Sequence, residues 1–164
     1  MSDSPQKDAL NMLQLLLEHL QNHYNIAPEE ALRLIKEKED LSVPLSVFER
    51  FELTFLEALV KYLHENLSMR FSQIAKSLNK NPVSIWGCYK KSKAKHPNQF
   101  SPDLSKGEVP LVIFTSKKYT ISEALVHYLS QERKMRYIDI AKLLNRDSRT
   151  IWSLARRALK KNEE

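Results

Sequence analysis

The chain has 164 residues, 42% of them hydrophobic, which suits one ordinary domain or two to three very small ones with a core. Two glycines are too few for a glycine-rich phosphate loop or a turn-dense β-protein, and a single cysteine, Cys88, rules out an intrachain disulfide and a cysteine-rich zinc site. The net charge of +6 is uneven: residues 1–42 carry −4, residues 43–95 carry +5 and residues 109–161 carry +8, so a polyanionic partner is expected for the last two segments and another role for the acidic head.

The opening MSDSPQKDAL is polar and acidic, unlike the basic start and apolar run of a signal peptide. No apolar run reaches the about 18 residues of a membrane span. An all-α, cytoplasmic protein without membrane contact is the expectation. Residues 1–42 read as a helical hairpin. Leu10, Leu13, Leu16, Leu17, Leu20 and Tyr24 recur at helical spacing over residues 6–24, and Met12 and Leu15 widen the stripe. Pro28-Glu29-Glu30 then opens a second helix bearing Ala31, Leu32, Leu34 and Ile35. A stripe this wide is expected to pack on the rest of the chain, to form a homodimer, or to hold a protein partner through residues 6–35. His19 and His23 stand at i and i+4, but two histidines fall short of the three or four ligands of a zinc site, so no metal or cofactor is expected.

From residue 43 the chain says nearly the same thing twice. VPLSVF at 43–48 matches VPLVIF at 109–114, EALVKYL at 57–63 matches EALVHYL at 123–129, and IAKSLNKNPVSIW at 74–86 matches IAKLLNRDSRTIW at 140–152. Every match lies at an offset of 66 residues without a gap, and 21 of 53 aligned positions are identical. Such self-similarity implies two units of one fold: repeat 1 at 43–95, a linker at 96–108 (HPNQFSPDLSKGE), and repeat 2 at 109–164. The VPL arms read as extended chain, either as an apolar strap over each unit, which we favour, or as a small sheet formed between them.

Within each unit three helices follow. Thr54-Phe55-Leu56-Glu57 and Thr120-Ile121-Ser122-Glu123 fit a capping box, in which hydroxyl and carboxylate each satisfy an orphan backbone N–H. Ala58, Leu59, Tyr62 and Leu63 then recur at helical spacing, as do Ala124, Leu125, Tyr128 and Leu129. A short second helix carries Ile74, Ala75 and Leu78, or Ile140, Ala141 and Leu144, and ends at Asn79 or Asn145, a residue that tolerates the left-handed backbone. Asn81-Pro82 and Asp147-Ser148 cap a third helix whose end is basic.

Two helices joined by so short a turn form a helix-turn-helix. FSQIAKSLNKNPVSIW and YIDIAKLLNRDSRTIW resemble the helix-turn-helix of sigma-factor region 4 and of LuxR-type regulators, over about 35 residues of each copy. Both copies have asparagine at a turn where many such motifs have glycine. The head is too small to hold promoter-melting helices, so the resemblance implies DNA binding rather than polymerase-factor activity. It places the third helix in the major groove. Base edges would then be faced by Asn81, Val83, Ser84, Gly87 and Lys90 in one copy, and by Asp147, Arg149, Thr150, Ser153 and Arg156 in the other. Arg149 is the strongest reader, because guanidinium bonds bidentately to guanine. Lys90, Lys91, Lys93, Lys95, Arg156, Arg157, Lys160 and Lys161 are assigned to phosphates. Trp86 and Trp152 fall on the flank, for packing against the arm, which we favour, or for contact with DNA.

The expected function is a sequence-specific, double-stranded-DNA-binding transcriptional regulator of the nucleoid, using two recognition helices in successive major grooves. The alternative is a protein–protein assembly or architectural module with weak sequence preference, since KNPVS of repeat 1 offers no arginine to read bases. Enzymatic activity is not expected: the chain has no nucleotide loop, no glycine-framed serine and no room for a nuclease domain.

Overall fold

The computed structural model describes residues 5–39 and 41–163. They are mostly helical and divide into two compact units, residues 1–41 and 42–164. The first unit is the hairpin of α1 (Pro5–Tyr24) and α2 (Pro28–Glu39). Asn25 reverses the chain between them at φ 53°. Ala31 is the one buried side chain among those described in the hairpin, so the leucine stripe of α1 lies open.

The second unit holds both repeats and the intervening linker as a single body. Repeat 1 contributes α3 (Phe55–Glu65), α4 (Phe71–Leu78) and α5 (Pro82–Lys95). Repeat 2 contributes α6 (Ile121–His127), continued by a π-turn over Tyr128–Glu132, then α7 (Tyr137–Leu143) and α8 (Ser148–Glu163). Both capping boxes form: Thr54 Oγ1 accepts from the Glu57 N–H at 3.1 Å, and Thr120 Oγ1 from the Glu123 N–H at 3.2 Å. Asn79 and Asn145 take the left-handed conformation at φ 53° and 50°.

The arms correct the strap reading. Only Ser42–Pro44 (β1) and Glu108–Pro110 (β2) are extended, and they pair antiparallel with each other: Ser42 faces Pro110, Val43 faces Val109, Pro44 faces Glu108. Each proline then leads into a 3-10 turn, Leu45–Glu49 or Leu111–Thr115. The turns carry Leu45, Val47 and Phe48, and Leu111 and Phe114, into the core. Two short apolar segments cannot satisfy their backbone groups alone, and pairing supplies the missing hydrogen bonds. The Phe48 and Phe114 rings meet with centroids 5.8 Å apart, so the two repeats share one core.

The linker is fastened to repeat 1 rather than hanging free. Phe100 is buried, its carbonyl accepts from Asn66 Nδ2 at 3.0 Å, and the Asp103 N–H donates to Ser46 Oγ at 2.9 Å. Gly107, at φ +91°, then delivers the chain to β2 while its carbonyl accepts from the Leu45 N–H at 2.9 Å.

Candidate nucleic-acid interface

The third helices, α5 and α8, have one sealed side and one open side. Ile85 anchors α5, and Ile151, Leu154, Ala155 and Ala158 anchor α8, where each packs against the first helix of its own repeat. Asn81 Oδ1 caps α5 by accepting from the Val83 N–H at 2.8 Å, and Asp147 Oδ1 caps α8 by accepting from the Arg149 N–H at 2.7 Å. Asn81 therefore stands at the start of the open face with its oxygen already used by the backbone.

On the open face lie Val83, Ser84, Arg149 and Thr150, all exposed, with Gly87 and Ser153 half-buried one turn further. Arg149, Trp152 and Ser153 line a shallow hollow together with Tyr137 and Ser148. Trp86 is 49% exposed and Trp152 is 51% exposed, so neither indole is sealed beneath its arm. Each carries the cation one turn on: Lys90 Nζ lies 4.5 Å from the Trp86 ring centroid, and the Arg156 guanidinium carbon lies 4.9 Å from that of Trp152. The two tryptophans and the two cations are equivalent positions of the repeat, so the same motif is displayed twice.

The cations assigned to phosphates separate into two groups. Lys90, Lys91, Arg156, Arg157 and Lys160 are exposed. Lys93, Lys95 and Lys161 are paired with carboxylates of their own repeats, although Lys93 and Lys95 also remain exposed. Lys95 Nζ donates to Glu57 at 2.8 and 3.1 Å, and the equivalent Lys161 Nζ donates to Glu123 at 2.6 Å. Both acceptors are the buried carboxylates of the capping boxes, so one charge completes the first helix and ties down the end of the third. Burial pushes the Glu123 carboxyl up. The hydrogen bonds from Lys161 and the Thr120 N–H, with the charges of Lys161 and Arg157, outweigh it and hold the group below its ordinary value. Lys93 pairs with Glu65 at 2.9 Å, beside the Tyr89 hydroxyl at 3.0 Å and the fully buried Lys61. Burial opposes ionisation of Glu65 too, and these three hydrogen bonds override it, so its carboxyl also titrates low.

The sequence reading missed the residues that join the repeats. Asn79 Nδ2 donates to the Thr115 carbonyl of the other repeat, and Asn145 Nδ2 donates to the Glu49 carbonyl at 3.3 Å. Arg146 reaches across to the Arg50 carbonyl at 3.0 Å and the Leu53 carbonyl at 2.7 Å, with its guanidinium carbon 4.8 Å from the Phe55 ring centroid. Burial lowers its pKa, with Glu52 opposing. The one available signal was the choice of asparagine over glycine at both turns, which adds an amide where the backbone needs only a positive φ.

His19 and His23 lie with ring centroids 4.4 Å apart, and among the described residues no group of three or more histidine, cysteine or acidic side chains is placed to hold a metal. No described helix is long and apolar enough to cross a membrane. No protein-family model, curated protein or solved structure matches the chain, so the two open helix faces rest on their own geometry.

Proposed function

We propose that the chain binds double-stranded DNA with sequence preference, as a transcriptional regulator whose α5 and α8 enter successive major grooves. Each α4–α5 and α7–α8 pair then acts as a helix-turn-helix of the type its sequence resembles. The observation that carries the reading is the open face of α5 and α8. It carries exposed cations in both copies, is capped at its start, and is backed by a sealed core on the other side. Polar side chains at the N-terminal turns suit base edges, and the cations further along suit phosphates.

Fluorescence anisotropy on a labelled random-sequence duplex tests it. Affinity should fall steeply as salt rises from about 50 to 200 mM, because each neutralised phosphate releases condensed counterions. Arg156→Glu with Arg157→Glu should weaken binding to all sequences and reduce the salt slope by about 2. Binding that ignores salt, or no binding at about 50 mM, contradicts the reading and favours an assembly module.

A second reading concerns the head. Leu10, Leu13, Leu16, Leu32 and Ile35 are all exposed on a hairpin too small to bury them itself. The hairpin of a second copy offers the same surface and would complete a four-helix bundle. In sedimentation equilibrium the wild type should run at twice the chain mass and Leu13→Glu with Leu16→Glu at one. A monomeric wild type removes this reading.

A further inference from the structure

The contacts between the repeats have a symmetry that the bare repetition in sequence does not require. In the β1–β2 pair Val43 faces Val109, its own counterpart in the repeat. Ser42 faces Pro110, the counterpart of Pro44, and Pro44 faces Glu108, the counterpart of Ser42. Phe48 meets Phe114, again its counterpart. Asn79 donates to the carbonyl of Thr115, and Asn145 returns the bond to the carbonyl of Glu49, the counterpart of Thr115. Exchange of counterparts at each of these contacts is the signature of a twofold axis, as in an isologous dimer interface, here running between Val43 and Val109. Arg146, whose bonds to Arg50 and Leu53 have no return from Lys80, departs from it. Rotation about that axis carries α5 onto α8.

We infer that the target of this chain is an imperfect inverted repeat: two half-sites of opposite polarity, one presenting a guanine to Arg149 and the other a thymine methyl to Val83. The inference rests on the DNA-binding reading above. A duplex has twofold axes perpendicular to its own length, and a twofold protein seated on it aligns with one of them. Its two reading helices then run in opposite senses along the duplex. A direct repeat would require units related by translation along the duplex, which the reciprocal contacts exclude. The inversion is imperfect because the open faces differ. Val83, 76% exposed, stands where repeat 2 has Arg149. Ser84 stands for Thr150, and Gly87 for Ser153. An exposed valine suits the thymine methyl, and arginine suits guanine O6 and N7. One chain therefore reads two different half-sites, where a homodimer would demand two alike.

The test is selection from a library of random 40-bp duplexes with the full chain, followed by alignment of the enriched sequences. The wild type should enrich two inverted half-sites, with guanine at the reading position of one half only. Arg149→Ala should lose that guanine and keep the other half. Val83→Arg with Ser84→Thr should place guanine at the mirrored position as well, making the selected site more palindromic. Recasting the selected site as a direct repeat should weaken wild-type binding by about tenfold or more, since one half-site is then misread at several base pairs. Enrichment of direct repeats, of a single half-site, or of two duplexes held by one chain overturns the inference and leaves DNA binding standing. Failure to retain any duplex removes both together. The orientation is decided by the wild type alone, so a variant that fails to fold does not obscure the result.

Discussion

At Asn79 and Asn145 one side chain meets two demands. The backbone there is left-handed, which glycine adopts most easily, and the amide reaches a carbonyl of the other repeat. The two demands separate by substitution. Asn145→Gly keeps the conformation and loses the bond, and should cost about 0.5–1.5 kcal/mol in urea denaturation. Asn145→Ala loses the bond too and keeps a Cβ in the left-handed region without the amide that lets asparagine tolerate it, so it should cost about 1 kcal/mol more than Asn145→Gly. Equal losses would show that the backbone conformation carries no weight. The neighbouring position shows how far two copies diverge under one frame. Arg146 spans two carbonyls and a phenyl ring, where repeat 1 has Lys80. A guanidinium makes several directed bonds at once and an ammonium does not. Helical periodicity placed these residues in the turn. What they touch lies 96 residues away, at Glu49 and Arg50, which no local pattern encodes.

At the scale of the helix, each capping box does more than start α3 or α6. Glu57 and Glu123 also receive a lysine from the last turn of the third helix of the same repeat. The open face is thereby fixed at its far end by a charge buried behind it. Because the folded Glu123 and Glu65 carboxyls titrate below their ordinary value of 4.5, they release protons more readily folded than unfolded. Their contribution is therefore complete above that value and is lost as pH falls through the lowered folded values. Urea midpoints should be level at neutral pH and drop on acidification from about pH 5 to pH 3. Glu123→Gln should lower stability at pH 7 by about 1–3 kcal/mol and flatten that acid slope. An unchanged slope would mean the pair with Lys161 contributes nothing. The same pairs account for the three lysines that are tied to carboxylates of their own repeats. Charge spacing along α5 and α8 shows where cations stand, but the carboxylates facing Lys93, Lys95 and Lys161 belong to α3 and α6.

For the whole molecule, the joining of the repeats matters more than their linkage. Fully extended, thirteen linker residues reach roughly 43–47 Å, ample for two heads on adjacent grooves. The shared core makes that reach irrelevant, because Val43, Phe48, Val109 and Phe114 are buried together. A protease site inserted at Pro97–Asn98, on the exposed stretch of the linker, tests this. After cleavage the halves should still co-elute on gel filtration and keep the affinity of the intact chain. Separation of the halves would show that the tether, not the shared core, holds them.

The sequence by itself determined the helical class, the two copies and their offset, the helix starts and the polar, basic character of α5 and α8. Each of these is written in neighbouring residues: a capping box spans four positions, a helical face repeats every three or four, and an internal repeat declares itself by alignment. Only the tertiary structure decided that the arms pair with each other, that Trp86 and Trp152 stay half open, that three lysines are held by carboxylates, and that the repeats exchange reciprocal contacts across a shared core. VPLSVF and VPLVIF state that two apolar segments need cover, and either a strap or a partner arm would supply it. The choice between them was made by where the two cores met, because the free energy of burying Phe48 against Phe114 depends on both copies being folded and in contact.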